Sequence, residues 1–493
     1  MRIAKVLESK IIEFVIDWRS SVIFVALKYT LELIMTTTDA FVARAGKIVC
    51  GWIFNATATA VIFGCLQYCP SAQAQDSGKP DIVFVISDDQ GWGDYSFMGH
   101  PHIQTPNIDS LAHESLVFTR GYVPDSLCRP SLASIITGLY PHQHGIVGND
   151  PPPRDSSGNR GRLYRSAEYQ QVIDEYLRLH IDKLTTLPDR LSERGYVSLQ
   201  TGKWWEGNAT RGGFDSGMTH GDHNRGGRHG DIGLTIGRET MQPIEQFIKR
   251  ARNENKPYFL WYAPMLPHTP HDPDDQLIEK YKPNSESESV AKYWAMCERF
   301  DSSVGELREM IRLHGRPRDT LIVYVCDNGW INLPDRSAYA PKSKRSQYDG
   351  GVRTPIMIHW PGKVEAKRDE QHLASSIDLV PTVLSLLGED ADRTLPGLDL
   401  TNSRKLDSRQ AVFGEIFEHD IVSMDNPSDS LMYRWVIHNK WKLIVPNPSR
   451  TENAQAELYD LIRDPFETAN LATSQPAEVL QLQQLLDGWW SGK

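Results

Sequence analysis

The chain lacks an excess of basic residues. Its 493 residues include 53 Lys and Arg against 63 Asp and Glu, which gives a formal net charge of -10. Proteins that bind nucleic acid neutralise phosphates with a basic surface, so this balance argues against a nucleic-acid partner. The hydrophobic fraction of 40% and the charged fraction of 24% are those of ordinary globular proteins, which excludes a disordered or fibrous chain.

Cysteine is also scarce. The six cysteines are Cys50, Cys65, Cys69, Cys128, Cys297 and Cys326. The first three precede the folded part that the sequence predicts, and the odd set of three that follows leaves at least one thiol unpaired in an exported protein. Cys297 and Cys326 lie in apolar patterns that predict core positions, whereas Cys128 does not.

Long uncharged runs are missing except near the amino end, where residues 48–75 carry no charged side chain. Basic residues, an apolar stretch and a small-x-small sequence that ends at Ala74 predict a secretory signal within a leader over residues 1–74. The sequence before Met35 is atypical of a signal, which favours Met35 as the true start. We therefore expect an exported protein, periplasmic or extracellular. The alternatives are a membrane anchor and, at Cys65, a lipoprotein.

Short apolar runs that end in polar residues alternate with helical patterns after the leader. The runs are residues 82–86, 196–199, 258–262, 321–325 and 356–358. Continuous apolar runs are typical of strands covered on both faces, so the alternation predicts an α/β fold with a large, mostly parallel sheet flanked by helices over residues 79–395. Shorter strands and a last helix predict a C-terminal subdomain, residues 396–493, with a smaller antiparallel sheet plus helix.

Acidic residues follow two of the predicted strands. Asp88 and Asp89 come after one strand, and Asp327 and Asn328 come after another. Because ligands bind beyond the carboxyl ends of parallel strands, we expect these side chains to converge. Crowded carboxylates and an amide oxygen select a hard cation, Ca²⁺ with Mg²⁺ as the alternative. Helix caps or turns explain one such pair alone, but two pairs on two such strands favour the metal.

A cysteine stands at the start of a predicted helix. Pro130 suits the first helical turn and Gly138 suits its end, which places Cys128 at the amino terminus of the helix. Amide N–H groups and the helix dipole stabilise an anion there. The sequence therefore predicts a lowered thiol pKa and makes Cys128 a candidate nucleophile or the precursor of one.

Together these segments resemble the type I, formylglycine-dependent sulfatases of the alkaline phosphatase superfamily, and among them the exported bacterial arylsulfatase-like enzymes. The motifs that carry the resemblance are DDQGWGD at 88–94, the segment 128–138, GKW at 202–204, PHTP at 267–270, CDNG at 326–329 and YDGGVRTP at 348–355. They occur in the family's order, and ELYDL at 457–461 resembles the family's carboxyl-terminal ending. The resemblance covers roughly residues 79–490.

The resemblance implies a sulfuric-ester hydrolase that removes sulfate from a sulfated carbohydrate or an aryl sulfate. It implies that a formylglycine-generating enzyme binds transiently and converts Cys128 to formylglycine, whose hydrated aldehyde attacks sulfur. The residues that match the family's Ca²⁺ ligands are Asp88, Asp89, Asp327 and Asn328, together with position 128. Those that match groups holding the sulfate or protonating the leaving oxygen are Lys203, His268 and Lys344.

Two positions depart from the family pattern. Leu132 stands where Cys-x-Pro-x-Arg has the arginine that the generating enzyme reads. Trp205 stands where Gly-Lys-Trp-His has the histidine that serves as the base for expelling sulfate. The candidate replacements for that base are His142, His144, His223 and His229. These departures predict reduced conversion of the cysteine, reduced turnover, or both.

Three further residues are candidate substrate contacts. They are Arg129 beside the cysteine, Trp205, and His229 in a glycine-rich segment that otherwise reads as a solvated loop. Two alternative functions stay open on the same scaffold. One is a phosphoester or phosphonate hydrolase, and the other is a catalytically impaired binder of sulfated glycans, which Leu132 and Trp205 favour.

Overall fold

The computed structural model describes residues 78–152, 167–225, 227, 229–390 and 392–492. The predicted leader over residues 1–74, with Met35 and Cys65, lies outside the described residues, so export stays a prediction. Within the described ranges, no helix combines the length and the apolar character that crossing a membrane requires.

The described strands are β1 (Asp81–Ser87), β2 (Leu116–Tyr122), β3 (Val197–Gly202), β4 (Ser216–Gly217), β5 (Tyr258–Ala263), β6 (Thr320–Cys326), β7 (Arg353–His359), β8 (Lys367–Asp369), β9 (Ala374–Ser375), β10 (Val412–Phe417), β11 (Leu431–His438), β12 (Trp441–Pro446) and β13 (Glu457–Asp460). The described α-helices are α1 (Pro106–His113), α2 (Cys128–Thr137), α3 (Pro141–His144), α4 (Ala167–His180), α5 (Leu187–Ser192), α6 (Gln242–Asn253), α7 (Asp275–Tyr281), α8 (Glu288–His314), α9 (Asp349–Val352), α10 (Leu379–Leu386), α11 (Ser403–Ser408) and α12 (Pro476–Trp489).

A large mixed sheet forms the centre of the fold. Its strands lie in the order β4-β3-β5-β1-β6-β7-β2-β8, and β9 pairs with β2. The pairs from β4 to β6 are parallel, as are those of β2 with β8 and β9, while β7 runs antiparallel to both β6 and β2. The predicted large, mostly parallel sheet is confirmed. The apolar run 356–358 could not reveal that β7 is antiparallel, because a strand covered on both faces is apolar in either direction.

Side chains of β1 alternate between two cores. Ile82, Phe84 and Ile86 belong to one core cluster, which α2 and α10 cover. Val83 and Val85 belong to the other, which α1, α6 and α8 cover. Successive residues of a strand point to opposite faces, so an unbroken apolar run is what a sheet with helices on both sides requires.

A second sheet lies in the C-terminal part of the chain. Its strands are antiparallel in the order β10-β11-β12-β13. Leu482 and Leu486 of α12 pack in one cluster with Val436, Leu443 and Leu458 of this sheet. The predicted smaller antiparallel sheet with one helix is confirmed, whereas the domain boundary at residue 396 stays a prediction.

The strand register brings the polar residues together. Ser87 and Cys326, the last residues of β1 and β6, are paired in the parallel ladder. Asp88 and Asp327 therefore leave the sheet side by side. Lys203 leaves the same edge after β3, since β3, β5, β1 and β6 are adjacent and parallel. This edge is where ligands bind in α/β sheets.

Candidate functional site

Cys128 lies between two lysine side chains. It is the first residue of α2, and only 1% of it is exposed. Its Sγ lies 3.1 Å from Nζ of Lys203 and 3.2 Å from Nζ of Lys344. Both lysines are buried. Two desolvated positive charges thus flank the position at which the sequence predicts the chemistry.

The predicted lowering of the thiol pKa is wrong. Burial raises the pKa of Cys128 to about 12, although Lys203 and Lys344 act to lower it. The helix N-terminus favours an anion, but the loss of hydration inside the protein outweighs that effect. The unmodified residue is therefore a thiol at neutral pH.

Each lysine also pairs with an aspartate. Nζ of Lys203 donates to Oδ1 of Asp88 over 2.7 Å, and Nζ of Lys344 donates to the two carboxylate oxygens of Asp89 over 2.6 and 2.7 Å. Burial acts to raise the pKa of Asp89, but Lys344, His268 and Lys203 lower it to about 2. The carboxylate of Asp89 is therefore ionised at neutral pH, and the paired charges fix both ammonium groups in place.

Three buried oxygen atoms beside these pairs accept no hydrogen bond: Oδ2 of Asp88, Oδ2 of Asp327 and Oδ1 of Asn328. Buried polar atoms nearly always have a partner, so these atoms have unused capacity to bind a ligand. Asp88, Asp89, Cys128 and His268 also bring ligand atoms within 4.8 Å of one another. Carboxylate and amide oxygens suit Ca²⁺ or Mg²⁺, and the residues present fit such an ion.

His268 lies next to this cluster. Its Nε2 is 3.4 Å from Oδ2 of Asp89, and its Nδ1 is 2.6 Å from the carbonyl oxygen of Thr269. A carbonyl only accepts, so Nδ1 carries a proton. Burial lowers the pKa of His268, although Asp88 and Asp89 act to raise it.

A cavity of about 300 Å³ opens onto the cluster. The predicted site residues that line it are Asp89, Cys128, Trp205, His229, His268 and Lys344. Lining residues that the sequence did not single out as site residues are Asn149, Trp330, Tyr339, Arg345 and His419. The cavity wall therefore combines the end of the large sheet with residues from the C-terminal part of the chain.

Arg129 is engaged inside the protein. Its Nε and NH2 donate to the two carboxylate oxygens of Glu206 over 2.7 and 2.8 Å, and its guanidinium lies 4.1 Å from the ring centre of Tyr176. The side chains of Arg129 and Glu206 are only 2% and 4% exposed. Arg129, which the sequence predicts to contact substrate, is therefore committed to an ion pair inside the protein. Leu132, four residues into the same helix, is buried in the core beneath the large sheet.

Two of the histidines proposed as replacement bases have other partners. Nδ1 of His142 lies 2.9 Å from Oε1 of Glu415, and Nε2 of His144 lies 3.1 Å from Oγ of Ser134. Neither is among the residues that line the cavity. Burial also holds the pKa of His144 well below its usual value.

The other two histidines differ in position. His229 lines the cavity, with its ring centre 5.3 Å from that of Trp205. The side chain of His223 is outside the described part of the chain. His419 lines the cavity as well and was not foreseen, because it follows β10 in the C-terminal part and belongs to no motif.

The chain is similar to known sulfatases. A family model described as Sulfatase matches residues 80–389, and one described as N-sulphoglucosamine sulphohydrolase, C-terminal, matches residues 339–487. The chain is 28% identical over 360 residues to N-acetylgalactosamine-6-sulfatase of Canis lupus familiaris, and the match covers 65% of this chain and 65% of that relative's length. It is 26% identical over 484 residues to arylsulfatase A of Homo sapiens, with 83% of this chain and 87% of the relative covered.

A solved structure supports the fold. The crystal structure of Ps i-CgsB superimposes with a TM-score of 0.64 at 23% identity, covering 84% of this chain and 94% of that one. The Sulfatase model spans more than half of the chain and includes Cys128, both lysines and the acidic cluster. The chain therefore belongs to the sulfatase family, within the alkaline phosphatase superfamily, as its motifs predict.

Proposed function

We propose that the protein is an exported sulfuric-ester hydrolase that removes sulfate from a sulfated carbohydrate or an aryl sulfate. The observation that carries the proposal is the pair of buried ammonium groups 3.1 and 3.2 Å from Sγ of Cys128. Desolvated positive charges fixed beside one reactive position suit an anionic group that gains charge during transfer.

The relatives support the substrate class. N-acetylgalactosamine-6-sulfatase is named for a sulfated amino sugar, and arylsulfatase A is named for aryl sulfates. The cavity wall contains Trp205 and Trp330, whose flat rings provide surfaces on which a sugar or an aryl ring can stack. A cavity of about 300 Å³ is at the small end of the range for ligand sites, which suits one ring and its sulfate.

A calcium ion, with Mg²⁺ as the alternative, is proposed to bind Asp88, Asp89, Asp327 and Asn328. The three oxygens without hydrogen-bond partners support this ligand set. A bound divalent ion supplies positive charge that stabilises the oxygens of the transferred group. Lys203 and Lys344 then hold the remaining oxygens of the sulfate.

Position 128 is proposed to carry formylglycine, made from Cys128 by a transiently bound formylglycine-generating enzyme. The position fits the group, because it lies at the amino terminus of α2 between two ammonium groups. That group supplies the oxygen nucleophile when it is present. His268, whose Nδ1 donates to a carbonyl, is proposed to give a proton from Nε2 to the departing alcohol oxygen as the imidazolium, the form that Asp88 and Asp89 act to stabilise.

The first experiment is mass spectrometry of the peptide that contains residue 128, from protein made in its native host, together with sulfate release from aryl sulfates and sulfated sugars. We expect an aldehyde or its hydrate, and sulfate release that Cys128→Ala abolishes. A Leu132→Arg variant should raise the modified fraction. Release of phosphate but not sulfate by the modified protein would overturn the proposal. So would an intact thiol with tight glycan binding and no turnover.

Export has its own test. The amino terminus of the protein recovered outside the cytoplasm should be Gln75, the residue after the predicted cleavage site. Retention in the cytoplasm of a chain that still contains Met35 would contradict export and leave the hydrolase proposal intact.

A further inference from the structure

His419 meets two carboxylates and one amide at the wall of the cavity. Its Nδ1 lies 2.5 Å from Oδ1 of Asp420 and 3.7 Å from Oδ2 of Asp150. Its Nε2 lies 3.4 Å from Nδ2 of Asn149. The side chain is 17% exposed, and it lines the same cavity as Cys128. The imidazole thus has a neighbour at each ring nitrogen, and part of its ring is exposed to the cavity.

These neighbours fix which ring nitrogen carries the proton. Oδ1 of Asn149 accepts from the backbone N–H of Arg129 over 3.0 Å, so the NH2 end of the amide faces His419. An NH2 group only donates, so Nε2 of His419 presents a lone pair. Nδ1 then carries the proton and donates it to Asp420. A histidine that a carboxylate orients through Nδ1, and whose Nε2 lone pair has only a long contact of 3.4 Å with the Asn149 amide at the cavity wall, has the arrangement of a general base.

Charged and titratable groups surround the ring of His419 on two sides. The groups at Nδ1 are the carboxylates of Asp150 and Asp420. The titratable or charged groups that share the cavity are Asp89, Cys128, His229, His268, Tyr339, Lys344 and Arg345. The two adjacent carboxylates stabilise the imidazolium once it forms.

We propose that His419 is the proton acceptor of this site and takes the part that a histidine at position 205 has in the family pattern. This inference rests on the proposed hydrolase function. In the step, the O–H bond of a hydroxyl in the cavity breaks, the Nε2–H bond forms, and the electron pair stays on the oxygen. The imidazolium, held by Asp420, afterwards gives its proton to water. The base thus comes from the C-terminal part, while Trp205 packs beside His229.

The kinetic test compares His419→Gln and Asp420→Asn with a control, His372→Gln. His372 also pairs with two carboxylates, Asp369 and Asp407, but is not among the residues that line this cavity. We expect His419→Gln to lower kcat by about 10²–10⁴-fold with little change in KM and to remove the acidic limb of the kcat–pH profile. Asp420→Asn should lower kcat less and move that limb to lower pH, and the control should match wild type. Melting temperatures verify that each variant folds.

A second readout needs no turnover. In unmodified protein with ¹⁵N-labelled histidine rings and Ca²⁺ present, the resonance that His419→Gln removes should show a protonated Nδ1 and an unprotonated Nε2, and inorganic sulfate should shift the Nε2 signal. Asp420→Asn should weaken the Nδ1 preference.

The outcomes separate the two proposals. If wild type releases sulfate and His419→Gln keeps its rate and pH limb, His419 is not the acceptor and the hydrolase proposal stands. If wild type shows no turnover, the nitrogen resonances decide. Either a protonated Nε2 or an Nε2 signal that inorganic sulfate leaves unchanged overturns the assignment of His419. The expected tautomer with the sulfate-induced shift supports it.

Discussion

At the residue scale, the ionisation of Asp327 determines whether the acidic cluster can bind a cation. Its Oδ1 accepts the backbone N–H groups of Asp89 and Asn328 over 3.1 and 2.6 Å, while its Oδ2 accepts no hydrogen bond. Burial and the charge of Asp88 raise the pKa of Asp327 well above its usual value. A divalent ion would relieve this crowding, because it offsets the charge that disfavours ionisation.

Addition of Ca²⁺ should therefore stabilise the protein. At a concentration of about 100 times Kd, binding adds about 2.7 kcal/mol to the free energy of unfolding. Asp327→Ala should abolish the rise in melting temperature, whereas Asp335→Ala, which removes an exposed carboxylate, should keep it. Calorimetric scans with Ca²⁺ and with a chelator measure the effect. An equal rise in Asp327→Ala and wild type would exclude this ligand set.

Much of the cluster could be predicted from the sequence because each residue follows a strand or sits in a motif. Asp88 and Asp327 are one residue beyond paired strand ends, so register alone places them together. The partner of Arg129 and the role of His419 could not be predicted. Glu206 and His419 come from distant segments without a local pattern, and only the folded chain brings them to α2 and the cavity.

Two helices are joined at the element scale by one buried carboxylate. Asp301 of α8 accepts the N–H of Ile108 over 2.7 Å, and its other oxygen accepts the side-chain amide of Asn107 over 2.8 Å. Both donors belong to residues in the first turn of α1. The backbone N–H groups of a first turn have no partner within their own helix. Asp301 therefore caps α1 from outside.

Asp301→Ala should lower the free energy of unfolding by about 1–3 kcal/mol, because it leaves buried donors without an acceptor. Burial raises the pKa of Asp301 from its usual 3.8 to about 6. The folded state then binds this proton more tightly than the unfolded state, so the contribution of this group to stability falls as pH rises from about 4 to about 6.

Urea unfolding at the two ends of this pH window measures the effect. Asp301→Asn should remove that part of the pH dependence. Glu309→Ala, at an exposed position of the same helix, should leave stability within about 0.5 kcal/mol of wild type. An Asp301→Ala variant as stable as wild type would show that the cap contributes nothing.

The order of helices and strands could be predicted because apolar runs of strand length and helical spacing differ in period. Strand direction and neighbours could not. The position of β7 between β6 and β2 depends on how the chain returns to the sheet, which the residues of the strand do not encode.

At the scale of the whole molecule, one buried lysine joins the C-terminal sheet to the segment that follows Lys344. Nζ of Lys442 on β12 lies 2.9 Å from Oδ1 of Asp349 and 2.9 Å from Oε1 of Glu467, and all three side chains are at most 1% exposed. Oε2 of Glu467 also accepts the backbone N–H of Asp349 over 2.6 Å. Asp349 begins α9, so the C-terminal sheet braces the chain near Lys344.

Lys442→Met should lower the free energy of unfolding by about 3–5 kcal/mol, because two buried carboxylates lose their counter-charge. Lys440→Met is the matched control. Its ammonium lies 2.7 Å from Asp460 but is 41% exposed, and its loss should cost at most about 1 kcal/mol. Chemical denaturation of the two variants measures the free energy of unfolding. Equal losses in the two variants would show that the buried lysine has no special structural role.

The lysine–aspartate pairs at Cys128 have a consequence for electroneutrality. When all three carboxylates are ionised, Asp88, Asp89 and Asp327 beside Lys203 and Lys344 leave a formal charge of -1, which repels an anion. A divalent cation reverses the sign, and a singly charged sulfate ester then balances the cluster. Cation and sulfate should therefore bind cooperatively, each raising the affinity of the other by the same factor. A doubly charged phosphate monoester would leave one negative charge unbalanced in the same surroundings.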